Sequence, residues 1–331
     1  MAVQYGMISP NHILVDPNAT SDHGSSDAGS IQSAIDTLPG SGGIVELTIG
    51  TYNFTSNYLS FVSKDDNVTI RGAGNGTVLY RNQSTYGARL INCNGADNLT
   101  FENFKVTGNS AYSTSGYAFY STGCDSLTMD TILFDDIGMD QAYIGTCTDA
   151  RVQNCYFDNC RYNGLVLDAA TYSNITNNHL YAITSNVAAL HSLFYASDAD
   201  GTKFIGNIMH AADSNYQYGM LKIYSCTHFF IADNVVCRDN SYRSNDGIIV
   251  VSSCTGVQVE ENNVYENVYA GIYIGSSDNI HIKGNLIREV DDYGIQFVNS
   301  THSIAAQNVC TNCTLGYWNE SGCTDVNVDF P

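Results

Sequence analysis

The chain has 331 residues and a net charge of −20, with only 13 basic residues. Nucleic-acid binding depends on clustered Lys and Arg that neutralise phosphates, so we expect no nucleic-acid partner. The sequence has no apolar run long enough to cross a membrane and no signal peptide at its start. We therefore expect no membrane insertion in this segment, and we expect that the chain begins after a removed leader.

The first part of the chain is polar and rich in turn residues up to Ser30. The residues that follow predict a short helix that ends at Pro39-Gly40 and covers one end of the core, because their spacing is helical: Ile31, Ala34, Ile35 and Leu38. Ile44–Ile49 then alternates apolar and polar residues, which predicts the first strand. We divide the chain into an N-terminal segment with a capping helix, residues 1–43, and a repeating domain, residues 44–331.

Residues 256–278 and 279–301 are two copies of one 23-residue unit. Each copy holds two short alternating apolar runs, and Gly271–Ile274 lies over Gly294–Phe297. The unit continues in both directions, over residues 97–323, and no copy has a helical pattern between its strands. A fixed period of this length is typical of a solenoid. The sequence predicts an all-β fold, a single parallel β-helix in which each strand pairs with its equivalent in the next coil.

Stacked coils place equivalent residues about 4.8 Å apart, and two such rows are visible. The first is an asparagine ladder, predicted to occupy the bend between strands: Asn178, Asn207, Asn234, Asn262 and Asn285, followed by Gln307. The second is a cysteine ladder, in which Ala or Ser fills the same position in other coils: Cys124, Cys147, Cys226, Cys254 and Cys323. A position that accepts Cys, Ala and Ser is a small buried corner, and we expect free thiols there.

These ladders and the opening Ser30–Phe54 resemble the right-handed β-helix, or pectin-lyase-like, superfamily. The resemblance implies a right-handed solenoid that begins with a helical cap, and it suggests activity on polysaccharides. The acidic composition, rich in Asn and Tyr and tolerant of Cys, is also similar to that of archaeal disaggregatase-type enzymes, which cut a chondroitin-like sheath. That second resemblance depends on composition, and no motif carries it.

The coil length rises from 23 or 24 residues to 28 in three successive coils, 172–199, 200–227 and 228–255. The extra residues precede the second predicted strand of each coil. Enlarged loops on the same side of neighbouring coils build a wall, and a wall beside a sheet forms a cleft. We expect the functional site in that cleft.

A cluster of polar residues falls in these coils. It comprises the candidate catalytic residues Asp168, His191, Asp213 and Asp246 and the candidate substrate-binding residues Arg161, Tyr216, Lys222, Tyr242 and Arg243. If Leu165 and Leu167 point inward, then Asp168 faces outward, as Lys222 does between two apolar neighbours.

Two kinds of chemistry fit this cluster. A glycosidase needs two carboxyl groups, which Asp168 with Asp213 or Asp246 can supply. A lyase or C5-epimerase acting on uronic acids needs a cation and a base, which Lys222 and the neighbouring basic residues can supply. Each residue also has an ordinary structural explanation, a turn or a packing contact.

We favour an endo-acting glycoside hydrolase that depolymerises an acidic extracellular or cell-surface polysaccharide. The alternatives are a polysaccharide lyase or C5-epimerase and, in another class, a non-catalytic carbohydrate-binding or adhesin module. We expect an extracellular or cell-surface location, no metal and no cofactor. The C-terminal end of the sequence lacks a recognisable cap, which leaves room for a homo-oligomer or further domains there.

Overall fold

The computed structural model describes most of the chain, with short gaps between the described ranges. These ranges are residues 6–9, 11–17, 27–55, 58–81, 89–108, 116–135, 140–160, 162–182, 192–212, 219–239, 247–267, 269–319 and 322–329. The N-terminal part contains β1 (Gly6–Ser9), β2 (His12–Val15), α1 (Asp27–Thr37), β3 (Gly43–Leu47), β4 (Gly50–Phe54), β5 (Leu59–Val62), a 3₁₀ turn (Ser63–Asp65), β6 (Val68–Gly72), β7 (Thr77–Arg81) and β8 (Ile91–Asn94).

The capping helix is confirmed. In α1, Ile31, Ala34 and Ile35 are at most 2 % exposed, and the helix packs against β2, β3, β4 and β5. β2 lies in the predicted N-terminal segment, yet it pairs in parallel with β3. The hydrogen-bonded sheet thus reaches across the predicted division at residue 43.

The regular coils begin with β9 (Thr100–Gly108), β10 (Tyr117–Thr122), β11 (Thr128–Asp135) and β12 (Asp140–Gly145). Of these, β9 and β11 are long strands, and in the following coils their position is divided between two shorter strands. The following coils contain β13 (Arg151–Gln153), β14 (Tyr156–Asp158), β15 (Asn163–Asp168); β16 (Asn174–Thr176), β17 (His179–Ala182), β18 (Ser192–Ser197); β19 (Lys203–Ile205), β20 (Ile208–Ala212), β21 (Leu221–Tyr224); β22 (Phe230–Ala232), β23 (Val235–Asp239), β24 (Gly247–Ser252). The last coils contain β25 (Gln258–Glu260), β26 (Asn263–Asn267), β27 (Ala270–Gly275); β28 (His281–Lys283), β29 (Leu286–Val290), β30 (Tyr293–Val298); β31 (Ile304–Ala306), β32 (Val309–Thr311), β33 (Leu315–Asn319) and β34 (Asn327–Asp329).

Each coil from β13 onward has three strands rather than the two predicted. The first two strands of each coil belong to a 23-stranded sheet, sheet A, and the third belongs to an 11-stranded sheet, sheet B. Strands of successive coils pair in parallel, as Val259 with Ile282 and Ile272 with Ile295. The first apolar run of the sequence repeat is divided by the bend at the asparagine ladder, which explains the extra strand.

The asparagine ladder is confirmed from Asn178 to Asn285, but its last member is Asn308, not Gln307. Each ladder side chain is at most 1 % exposed and points into the solenoid, where its amide donates to the next ladder oxygen, as Asn234 Nδ2 does to Asn262 Oδ1 at 2.9 Å. The left-handed backbone belongs to the preceding residue, for example Gln307 with φ 58°. The predicted position was one residue early because Ile282 pairs with Ala305 rather than with Ile304.

The cysteine ladder occupies a corner after sheet B, where Cys124, Cys147, Cys226 and Cys254 are at most 1 % exposed. All four are free thiols, as is the less buried Cys323. Burial in apolar surroundings disfavours the charged thiolate, and it raises the pKa of Cys155, a buried cysteine of another bend, to about 12.

The coil lengths match the prediction closely. Successive members of the asparagine ladder are 29, 27 and 28 residues apart over the enlarged coils and 23 apart after them. The segments 183–191, 213–218 and 240–246 lie outside the described residues and fall between the second and third strands of the three enlarged coils.

Candidate functional site

Two of the nine predicted site residues lie in the described part of the chain. Asp168 ends β15 and Lys222 lies in β21, and both belong to the outward side of sheet B because Leu165, Leu167, Leu221 and Ile223 are fully buried. The other seven predicted residues lie outside the described residues: Arg161, His191, Asp213, Tyr216, Tyr242, Arg243 and Asp246. Their predicted roles stay predictions.

Asp168 is held by a tyrosine from the preceding coil. The Tyr143 hydroxyl donates to Asp168 Oδ2 at 2.5 Å. Gly145 pairs with Asp168 in the sheet, and a Cβ on Gly145 would lie 2.7 Å from Tyr143 Cε1. The Tyr143 ring therefore crosses the bare Gly145 backbone to reach Asp168. Burial, followed by the hydrogen bond to Asp168, raises the pKa of Tyr143, so its hydroxyl stays protonated as a donor.

Tyr143 belongs to a cluster of three tyrosines on sheet B. Its ring stacks on Tyr120 at 5.0 Å between centroids and 5° between planes, and Tyr117 lies 5.4 Å from Tyr143. The Arg89 guanidinium lies 3.5 Å from the centre of the Tyr120 ring, within the range of a cation–π interaction. The cluster forms an aromatic surface with a positive charge at the end away from Asp168.

A second carboxylate follows the next strand of sheet B. Asp168 pairs with Ser197, and the Ser197 hydroxyl donates to Asp198 Oδ2 at 3.0 Å. An offset of one residue on adjacent strands corresponds to about 6 Å between the Cα atoms of Asp168 and Asp198. Two residues before Ser197 on the same strand, burial raises the pKa of Tyr195, the hydrogen bond to Ser197 lowers it, and the charge of Asp168 raises it further. Asp168, Tyr195, Ser197 and Asp198 thus form one polar group toward the C-terminal ends of two neighbouring strands of sheet B.

Lys222 supplies a cation on the side of Asp168 opposite Tyr143, two strands further along sheet B. It pairs with Tyr195, which in turn pairs with Val166. Two strand spacings and two residues along the strand place the Cα atoms of Lys222 and Asp168 about 12 Å apart. The intervening surface contains Tyr195 and the 5 % exposed Val166. Arg89 and Lys222 therefore bracket the tyrosines and Asp168.

Asp140 is a less suitable partner for Asp168, although burial raises its pKa to about 6. It pairs with Asn163 at the start of β15, whereas Asp168 ends that strand. Five residues along a strand correspond to about 16 Å, beyond the carboxyl spacing of glycosidases. Asn163 Nδ2 donates to Asp140 Oδ1 at 2.6 Å, which indicates a structural role.

Among the described residues, no three His, Cys, Asp or Glu side chains are grouped so that they could hold a metal ion. In the same part of the chain, no helix has the length and apolar character needed to span a membrane.

The sequence interpretation missed Tyr143, Tyr195 and Asp198. The tyrosines recur at one register position, with Tyr120 before them and Tyr273 after them in the same row. That recurrence is a signal in the sequence, but tyrosine is also common in β-strands for purely structural reasons. Asp198 gives no signal of its own, because it is an ordinary turn residue until the register brings it beside Asp168.

The paired strands, the inward asparagine ladder and the polar row along sheet B define a parallel β-helix protein. The chain belongs to the family described as right handed beta helix region, which matches residues 42–208, 89–264 and 187–329. This match confirms the superfamily that the ladders indicated. No curated protein sequence matches the chain.

Solved structures show the same fold at low sequence identity. The A-module of mannuronan C-5 epimerase AlgE6 from Azotobacter vinelandii has 16% identity and a TM-score of 0.70, over 94% of this chain and 97% of that one. The catalytic unit of a GH87 α-1,3-glucanase from Streptomyces thermodiastaticus has 14% identity and a TM-score of 0.67, over 93% and 65%. A DFA-IIIase from Arthrobacter chlorophenolicus has 13% identity and a TM-score of 0.66, over 97% and 94%.

Proposed function

We propose that the protein is a polysaccharide-acting enzyme, specifically a glycoside hydrolase that binds an acidic polysaccharide along sheet B. The observation that carries this proposal is the Asp168 carboxylate, hydrogen-bonded by Tyr143 at 2.5 Å on a tyrosine-rich surface. The similar folds include a glucanase and an epimerase, which supports a carbohydrate substrate.

In this proposal Asp168 acts as nucleophile or general base, and Asp198 is the second carboxyl group. The two residues lie at the ends of adjacent strands, because Asp168 pairs with Ser197, the residue before Asp198, and the distance between their carboxyl groups in the substrate complex decides between a retaining and an inverting reaction. The tyrosines offer ring faces and hydroxyl groups to sugar units, and Arg89 and Lys222 favour a polymer that carries carboxylates.

A uronate lyase or C5-epimerase is the second candidate, and the Tyr143–Lys222 surface is the observation that favours it. Such an enzyme needs a base that removes the C5 proton and a cation that neutralises the uronate carboxylate. Lys222 fits the second role. The raised pKa of Tyr143 keeps its hydroxyl protonated and hydrogen-bonded to Asp168, so it does not supply the base that removes the C5 proton, and for this reason we place hydrolysis first.

The test is product analysis on a panel of acidic glycans, including chondroitin, polygalacturonate and alginate. We expect new reducing ends without the ultraviolet absorbance of an unsaturated uronate. Asp168→Asn should fold normally and lose at least about 100-fold in activity. Asp130→Asn on sheet A, whose carboxylate accepts from Gln153 and Asn154, is the control and should retain activity. Unsaturated products would establish a lyase, unchanged chain length with altered uronates an epimerase, and full activity of Asp168→Asn would remove Asp168 from the site.

A further inference from the structure

A row of mostly planar side chains runs along a face of the solenoid other than sheet B. It occupies one register position in the second strands of five successive coils, in the order Tyr181, His210, Cys237, Tyr265 and Arg288. We call it the planar row. The site around Asp168 uses none of these residues.

Neighbouring members of the planar row stack on each other. The rings of Tyr181 and His210 are 5.1 Å apart and inclined by 17°. The Arg288 guanidinium lies over the Tyr265 ring, 5.0 Å from its centre. These distances match the spacing of adjacent strands. The planes of these flat groups are therefore roughly perpendicular to the axis along which the coils stack. In the register, Tyr265 lies next to Arg288 on one side and next to Cys237, followed by His210, on the other.

Cys237 is the one position in the planar row without a planar group, and a cavity of about 380 Å³ opens there. The cavity is lined by His179, Ile208, Met209, His210, Val235, Cys237 and Tyr265. Its volume falls within the range of small-molecule sites. The floor is closed, since Met209 is fully buried and Cys237 is 5 % exposed.

The width of the gap indicates what fits it. His210 and Tyr265 are separated by two strand spacings, about 9.6 Å. A flat aromatic ring in contact with both would need two carbon–carbon contacts, about 7–8 Å in total. The remaining space suits a puckered ring, which is thicker than an aromatic one.

We propose that this cavity is a second carbohydrate-binding site, in which one pyranose ring lies between His210 and Tyr265 above Cys237. The identity of the sugar rests on the proposed function, because the ring is taken to belong to the same acidic polysaccharide. Stacking of both sugar faces on aromatic groups supplies apolar contact, while the imidazole of His179 in the lining supplies hydrogen bonds to hydroxyl groups. Burial lowers the pKa of His179, so its imidazole is neutral near pH 7 and can both donate and accept.

The experiment uses the Asp168→Asn protein, so that bound glycan is not consumed, and tetrasaccharides of chondroitin, polygalacturonate and alginate as probes. Calorimetry should give two binding events per chain for the glycan that binds. Cys237→Phe places a ring in the gap and should remove one event. Tyr265→Ala should weaken the same event about 5- to 10-fold, as expected for loss of one stacked face. Tyr172→Ala, at a 66 % exposed tyrosine outside the cavity, is the control.

Unchanged binding in both Cys237→Phe and Tyr265→Ala overturns the proposal, as does a panel in which no glycan binds. Circular dichroism checks each variant, and Tyr265→Ala decides the question if Cys237→Phe does not fold. The two proposals can fail separately. If Asp168→Asn keeps full activity while Cys237→Phe loses one binding event, only the assignment of Asp168 fails. If Asp168→Asn is inactive and Cys237→Phe binds normally, only the second site fails.

Discussion

Tyr143 and Asp168 lie on neighbouring strands of sheet B, and the tyrosine hydroxyl donates to the carboxylate at 2.5 Å. Tyr143→Phe removes this donor and keeps the ring. A hydrogen bond to a charged group contributes about 1.5–3 kcal/mol, so we expect kcat to fall about 10- to 100-fold. Steady-state kinetics measure the effect, with Tyr120→Phe as the control that retains the stacked ring. Equal kcat values for wild type and Tyr143→Phe would contradict a role for this contact.

Gly145 provides a test of positioning with a matched control in the same chain. A Cβ at Gly145 would meet Tyr143 Cε1 at 2.7 Å, and one at Gly275 would meet Tyr273 Cε1 at the same distance. Both alanine variants should displace their tyrosine and lose similar stability. Only Gly145→Ala moves a ring bound to Asp168, and we expect it to lower kcat about 10- to 100-fold, as a misplacement of about 1 Å can. If Gly275→Ala impairs activity equally, the effect is a general one on sheet B.

The asparagine ladder should contribute strongly to stability. Asn234 Nδ2 donates to Phe204 O and Asn262 Oδ1, and its Oδ1 accepts from the amides of Asn207. Asn234→Ala leaves these buried partners unsatisfied, at about 1–3 kcal/mol each, and we expect a loss of at least about 2 kcal/mol in the free energy of unfolding. Urea denaturation measures it.

Asn308→Ala is the comparison for Asn234→Ala, because Asn308 receives two bonds from Asn285 and donates one to Ile282 O. Its loss should be smaller. Equal losses in the free energy of unfolding for Asn234→Ala and Asn308→Ala would show that the continuity of the ladder adds nothing to stability.

Asp140 should make stability depend on pH. Burial raises its pKa from 3.8 to about 6 in the folded protein, whereas the unfolded carboxyl keeps a value near 3.9. The folded state therefore binds more protons between these values, and this contribution to stability is present below about pH 4 and lost as the pH rises to about 6.

A shift of this size corresponds to about 2–3 kcal/mol. Asp140→Asn preserves the hydrogen bond from Asn163 and removes the charge, so it should stabilise the protein at pH 7 and not at pH 4. Urea denaturation at both pH values checks this. The same stability difference between variant and wild type at the two pH values would contradict it.

The fold was largely predictable because aligned copies of a repeat show which residues are equivalent and therefore pair in neighbouring coils. Two aligned copies fixed the 23-residue period, the inward side of each strand and the outward direction of Asp168 and Lys222. The one-residue error at Gln307 arose because Ile304 is apolar but 43 % exposed, so hydrophobicity alone indicated the wrong inward residue. The third strand was missed because each apolar run was counted as one strand, although the asparagine ladder already marked a bend within the first run.

The site was less predictable, since it depends on neighbours from different coils. Asp168 could be selected from its position after a buried strand. Its partner Tyr143 is 25 residues away, and only the register and the bare backbone of Gly145 bring them together. Polar side chains of the enlarged loops were chosen from their position in the sequence, and those choices lie outside the described residues.

The register of the coils has an evolutionary consequence. Each rung contacts the rungs directly before and after it, so duplication or loss of a whole 23-residue unit between rungs would shift every later residue by one complete level and preserve its neighbours. The length of the sheet surface can thus change by gene duplication, one coil of about 4.8 Å at a time, without redesign of the residues already in place.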